Sequence, residues 1–183
     1  NEPVLFAEQL EQLGTGHAVL QTANILKDFS GDVIVLSGDV PMLKGSTLSA
    51  LLDKHHSGKF AATVLTALAD EPKGYGRVLR TQDDLFDCVV EHKDATAEQL
   101  MVNEINSGIY VFDSTLLYKK LPEVSNSNAQ SEYYLPDVLP LFKSEGAKVG
   151  VEICETFSEI QGINTVDELK TVEDKILASR ESL

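Results

Sequence analysis

Tryptophan is absent from this 183-residue sequence, and cysteine and methionine occur twice each. Two cysteines cannot build a disulfide framework, and both Cys88 (in FDCVV) and Cys154 (in VEICE) sit within apolar runs, so they read as buried free thiols of a protein kept in a reducing compartment. Basic residues are scarce. Lys and Arg number 15 against 29 Asp and Glu, a formal net charge of −14. Such a field repels phosphate backbones and anionic membranes over most of the surface, which argues against a general nucleic-acid or membrane binder. A small anionic ligand is still allowed, provided that its site is built from backbone N–H groups, a few basic side chains or a bound cation. No apolar run approaches the ~18 residues that span a bilayer, and no signal-peptide pattern opens the chain, so a cytoplasmic location is expected. What is present is ordinary for a folded domain: 43% hydrophobic and 24% charged residues, enough for one domain with a sizeable core.

The pattern alternates strands with helices. Gly14-Thr15-Gly16 interrupts an apolar stretch and opens a helix near Thr15. Asp32 to Leu36 is a short continuous apolar run between Gly31 and Gly38, the signature of a central parallel strand buried on both faces. Helical spacing over Thr47–Ser57 and β-forming residues over Phe60–Leu68 complete a βαβ unit. Further strands are expected at Arg77–Thr81, Phe86–Glu91, Ile105–Phe112 and Lys148–Ile153, with helices at Ser114–Leu121, Leu135–Ser144 and Val166–Ala178. The class is α/β. The polar stretch Val124–Ser131 suits a surface loop, as lid or linker.

Chemistry is expected where these elements end. Asp39, in Ser37-Gly38-Asp39-Val40-Pro41, follows the apolar strand at its carboxyl end, where open α/β sheets bind ligands. It is a hard carboxylate suited to Mg²⁺ with a phosphate as co-ligand, and equally a residue that caps the next turn. Gly14-Thr15-Gly16 offers N–H groups and a hydroxyl at a helix start, although a plain loop and cap is the commoner meaning. Gly74-Tyr75-Gly76-Arg77 reads as a tight turn or a ligand wall, and Glu91-His92-Lys93-Asp94 as a solvated strand end. Gly108, after Asn106, suggests a bulge; Asn164 or Thr165 is an N-cap of the last helix. His55 and His56 are helix neighbours that do not share a face, which argues against a metal pair.

Seven segments in order, Gln9–His17 (QLEQLGTGH), Ser37–Pro41 (SGDVP), Gly74–Arg77 (GYGR), Val90–Asp94 (VEHKD), Glu104–Gly108 (EINSG), Glu132–Leu135 (EYYL) and Gly162–Asn164 (GIN), resemble the sugar-nucleotide pyrophosphorylases. Within them the likeness is nearest to the uridyltransferase domains of the bifunctional bacterial N-acetylglucosamine-1-phosphate uridyltransferase/glucosamine-1-phosphate acetyltransferases. The resemblance implies a Rossmann-like nucleotidyltransferase fold with a mixed, mostly parallel sheet. It also implies Mg²⁺-dependent attack of N-acetylglucosamine 1-phosphate on the α-phosphorus of UTP. By the same resemblance Gln9, Gly14, Thr15, Ser37 and Gly38 contact the nucleotide, Gly76, Glu91, Asn106 and Asn164 contact the substrate, and Asp39 with Asn164 holds the metal.

This sequence departs from the family in two ways. The family opens with a strand and a Gly-x-Gly-Thr-Arg-Met loop followed by a lysine, whose cations cradle phosphate; no such segment occurs here, so the sheet is expected to lack its first βα unit and the catalytic Arg and Lys. The hexapeptide repeats of the family's β-helix domain, through which a homo-oligomer would form, do not occur either. Two readings of another kind therefore stay open: a non-catalytic nucleotide-sugar-binding module, and a pyrophosphorylase for another hexose 1-phosphate.

Overall fold

The βαβ unit read from the sequence is present. In a computed structural model that describes residues 4–181, strand β1 (Asp32–Val35) leads through helix α2 (Gly45–Gly58) to strand β2 (Ala62–Leu68). The two strands run in the same direction, as a crossover helix requires, yet they are not neighbours. Strand β5 (Glu104–Asp113) lies between them and is antiparallel to both. Strands β3 (Arg77–Arg80) and β4 (Phe86–Val90) form a hairpin whose β3 edge also pairs antiparallel with β5, and β6 (Val149–Cys154) pairs with β2 in parallel. The six-stranded order is β4-β3-β5-β2-β6, with β1 joined to β5 beyond that path.

This corrects the expectation of a mostly parallel sheet: of the five pairings only β2·β6 is parallel. Helix-strand alternation fixes the direction of a strand, but not which strand inserts beside it. The sheet position of Asp32–Val35 is corrected too. It pairs, among the described residues, with β5 alone, and its residues alternate between exposed and half-buried. The central strands are β2 and β5, where Ala62, Val64, Leu65, Tyr110, Val111 and Phe112 are buried.

Alternation along these two strands makes two cores. Val64, Tyr110 and Phe112 pack on one face with Leu117 of α3 (Ser114–Lys120) and Leu139 and Phe142 of α4 (Val138–Ser144); Leu65, Ile105, Ile109 and Val111 pack on the other with Leu51 of α2 and Ile160 of α5 (Phe157–Ile160). Each fully buried Leu or Phe contributes roughly 1.5–3 kcal/mol by leaving water. The expected helix Leu135–Ser144 begins as a 3₁₀ turn over Leu135–Asp137, and the last helix, α6, runs Val166–Glu181. α5 carries no periodic signal in the sequence because it is a single turn. Cys154 is buried, whereas Cys88 is only half-buried; both are free thiols. No helix among the described residues is long and apolar enough to cross a membrane.

The feature that makes room for a site is an interruption in β5. Val64 pairs with Tyr110 and Thr66 with Asn106, so three residues of β5, Ser107 to Ile109, are set against Leu65 alone in β2. The expected bulge is there, with Gly108 at φ +78°. Its polar groups are satisfied locally: Ser107 Oγ donates to the Leu65 carbonyl at 2.6 Å, the Ile109 N–H donates to Ser107 Oγ, and the Gly108 N–H donates to Asn106 Oδ1. β1 pairs with β5 as far as Tyr110 and β3 begins at Ile105, on the same side of β5. The bulge lies in the gap between the two.

Candidate active site

Two adjoining clefts open at that gap. The first, about 660 Å³, is lined by Thr15, Val35 to Ser37, Asp39, Gly74 to Gly76, Glu91, Asn106 to Gly108, Tyr110 and Leu135. The second, about 650 Å³, is lined by Ser37, Asp39, Lys73 to Tyr75, Ser107, Phe157, Gly162, Asn164 and Glu168. They share Ser37, Asp39, Gly74, Tyr75 and Ser107, so they are two ends of one groove. Of the residues singled out in the sequence, Thr15, Ser37, Asp39, Gly76, Glu91 and Asn106 face the first end, and Asn164 joins Ser37 and Asp39 at the second. Gln9, Gly14 and Gly38 line neither.

Asn106 is oriented by its neighbours. Its Oδ1 accepts both the Tyr110 hydroxyl (2.9 Å) and the Gly108 N–H (3.2 Å), which leaves the side-chain NH₂ to act as a donor toward the cleft. Its own N–H donates to the Gly76 carbonyl at 2.9 Å. Gly76 in turn makes space: a Cβ there would stand 3.1 Å from Glu91 Oε1 and from Val89 Cγ1. Glu91 is therefore not the solvated strand end expected from its charged neighbours. It is half-buried, and burial first, then the carboxylates of Asp137, Asp94 and Glu132, raise its pKa above the ordinary carboxylate value. Burial and Asp94 raise Asp137 as well, and burial with Asp94, Glu91 and Glu132 pushes Tyr134 up to about 12. Arg77, next to Gly76, is buried without a carboxylate partner among the described residues; its Nη1 donates to the Tyr75 carbonyl, holding the wall of the groove.

At the second end the Ile163 N–H donates to the Asp39 carbonyl at 2.9 Å, and a Cβ on Gly162 would lie 2.9 Å from Asp39 Oδ2 and 3.9 Å from Asn164 Nδ2. The glycine leaves a small space between a carboxylate and a carboxamide. Thr165, not Asn164, caps α6: Thr165 Oγ1 accepts the Glu168 N–H, and Glu168 Oε2 accepts the N–H groups of Asn164 and Thr165, a capping box. The Asn164 side chain is thus released from capping and lines the cleft. Carboxylate and amide oxygens are hard donors of the kind Mg²⁺ prefers, and two of them leave positions for phosphate and water, so the residues fit that ion. No group of three His, Cys, Asp or Glu among the described residues is arranged to hold a metal. His55 and His56 both reach Asp32, at 3.3 and 2.6 Å, and His55 also meets Thr63, a polar staple between α2 and the strands.

The glycines near Thr15 have a structural partner that the sequence did not reveal. The Gly16 N–H donates to the Tyr133 carbonyl at 2.7 Å, the Tyr133 N–H to Leu13, and the Leu135 N–H to Thr15 Oγ1. A Cβ on Gly14, whose φ is +108°, would meet the Tyr133 carbonyl oxygen at 2.7 Å. The helix that follows, α1 (Thr15–Leu20), is thereby stitched to the 132–135 segment. Gln9 Nε2 is engaged by the Gly14 carbonyl and His17 Nδ1. The 124–131 loop is tied as well, because Asp94 Oδ1 accepts the Ala129 N–H at 2.8 Å. Tyr110, Tyr75 and Gly162 were not singled out from the sequence; the only signal for the last two was their place inside the GYGR and GIN segments.

The model of the nucleotidyl transferase family matches residues 2–156. The chain is 48% identical over 166 residues to the Bifunctional protein GlmU of Alkaliphilus metalliredigens (91% of this chain, 36% of the relative). It is 50% identical over 161 residues to that of Exiguobacterium sp. (88% and 36%) and 45% identical over 180 residues to that of Clostridium beijerinckii (98% and 39%). It spans little more than a third of the length of these relatives.

Proposed function

The chain belongs to the nucleotidyl transferase family, and from that premise we propose that it transfers the uridylyl group of UTP to N-acetylglucosamine 1-phosphate, giving UDP-N-acetylglucosamine and pyrophosphate. The observation that carries this reading is the continuous groove: hydrogen-bonding side chains at one end, Glu91 and Asn106, and an oxygen-donor pair at the other, Asp39 and Asn164. In the reaction a phosphate oxygen of the sugar phosphate forms a bond to the α-phosphorus of UTP as the bond to the pyrophosphate oxygen breaks, with no covalent enzyme intermediate.

The residues then have distinct duties. The Asn106 NH₂ donates to a carbonyl or hydroxyl of the sugar, and Glu91 accepts from a hydroxyl beside the small Gly76 wall. Thr15 and Ser37, which line the same cleft, border the nucleotide. Asp39 and Asn164 hold Mg²⁺, which when bound neutralises phosphate charge and orients the phosphates. Such positioning and charge stabilisation is most of what phosphoryl transfer asks of a protein. A cytoplasmic setting, where UTP is made, suits this reaction.

Pyrophosphate release by the natural full chain, assayed with UTP and N-acetylglucosamine 1-phosphate with and without Mg²⁺, tests the reading. Release that needs both substrates and the ion, and that falls sharply in Asp39→Asn, supports it. Equal turnover with glucose 1-phosphate would overturn the sugar assignment, and saturable nucleotide binding without release would identify a binding module instead.

A further inference from the structure

Resting on the reading above, we propose that Lys73 is a substrate-binding residue that takes the phosphate oxygens gathered at the Asp39 and Asn164 end of the groove. The two clefts are rich in carboxylates, with Asp39, Glu71, Glu91 and Glu168 on their walls. Lys73 is the one basic side chain, among the described residues, that lines either of them. Both substrates of the proposed reaction are phosphate anions, and a groove of this sign repels them unless cations are placed where the phosphates lie.

Its position is built rather than incidental. The Tyr75 N–H donates to the Pro72 carbonyl at 3.2 Å, closing a four-residue turn in which Lys73 occupies the second place and Gly74, at φ +90°, the third. A positive φ at the third place is what a type II turn requires, and glycine supplies it without strain. The turn is anchored on its exit side by the Tyr75 ring, which meets Phe157 edge-on with centroids 5.8 Å apart. Gly74 and Tyr75 belong to both clefts, so the corner residue before them stands at the lip where the two ends of the groove join. The Lys73 ammonium makes no ion pair among the described residues, unlike Lys44, Lys119, Lys120 and Lys143, and is free to meet an anion.

Lys73→Ala and Lys73→Arg, made in the natural full chain, test the assignment by steady-state kinetics with UTP and N-acetylglucosamine 1-phosphate each varied at saturating Mg²⁺. Lys73→Ala is expected to raise KM for a phosphate substrate about tenfold, the scale of one charge-assisted contact, with kcat held within about twofold. Lys73→Arg is expected to restore most of the loss, and the difference between wild type and Lys73→Ala should shrink as salt rises and screens the charge. KM values unchanged in Lys73→Ala, or a loss that Arg does not rescue and salt does not alter, would overturn the assignment while leaving the proposed reaction standing. Failure of the unsubstituted protein to turn over these substrates would instead remove the reaction itself, and Lys73's role with it. Lys73 is exposed, so both variants should melt with the wild type.

Discussion

The Tyr110 hydroxyl donates to the side-chain oxygen of Asn106 at 2.9 Å. Two residues four apart on one strand meet this way because the bulge at Gly108 lies between them. The bond fixes which end of the carboxamide faces the cleft, so a buried tyrosine sets the donor that the sugar would meet. Asn106→Ala is expected to lower kcat/KM for N-acetylglucosamine 1-phosphate by about 1–3 kcal/mol, the desolvation penalty of partners left unpaired. Tyr110→Phe should cost less, about 0.5–1.5 kcal/mol, because the Gly108 N–H still holds the same oxygen. KM for UTP should hardly change in either; an equal rise in both KM values would mean that Asn106 serves the nucleotide or the fold.

Gly162→Ala places a methyl 2.9 Å from Asp39 Oδ2, and the carboxylate has to move. The Mg²⁺ concentration for half-maximal activity should rise about tenfold, the usual effect of disturbing a ligand's support. Gly45→Ala, at a glycine with open space around it, is the control and should titrate like the wild type. Identical Mg²⁺ curves for Gly162→Ala would separate Asp39 from the metal.

Stability should depend on the charge of Glu91. Burial and then the nearby Asp137, Asp94 and Glu132 raise its folded pKa above its ordinary 4.5, so the folded state binds a proton that the unfolded chain has already lost. Stability from this group is complete below the unfolded pKa and is lost as pH rises through the folded one. Glu91→Gln should therefore melt a few degrees above the wild type near pH 7, with about 2–4 °C expected per kcal/mol in a protein of this size, and the gap should close toward about pH 4. A gap independent of pH would assign the gain to packing.

Gly14→Ala should destabilise the fold whatever it does to nucleotide binding. Its φ of +108° and the Tyr133 carbonyl 2.7 Å from the added carbon leave no relaxed position for a side chain. A loss of about 1–3 kcal/mol is expected, read as a lower Tm. An unchanged Tm would show that the 14–16 segment is held to 132–135 less firmly than its hydrogen bonds indicate.

The elements themselves were legible because they are local. The apolar periods of β2, β5 and α2, the Gly108 bulge and the capping position before α6 each depend on residues a few places apart, and each appears where the pattern put it. Ordered short segments also sufficed for the family, since seven of them span nearly the whole chain.

Neighbour relations were another matter. Val-Ile-Val-Leu reads as a strand buried on both faces because its residues are apolar, but burial depends on what packs beside it; among the described residues β1 has one strand partner. Glu91 reads as solvated because its sequence neighbours are charged, while its environment is made by Gly76, Asp137 and Glu132. The sequence by itself determined most of the elements and the family. Only the tertiary structure decided that β5 enters between β1 and β2, and that this insertion gathers Asp39, Asn106, Asn164 and Lys73 around one groove. Local periodicity encodes the conformation of a segment, whereas strand insertion and burial are settled by packing free energy between segments distant in the chain.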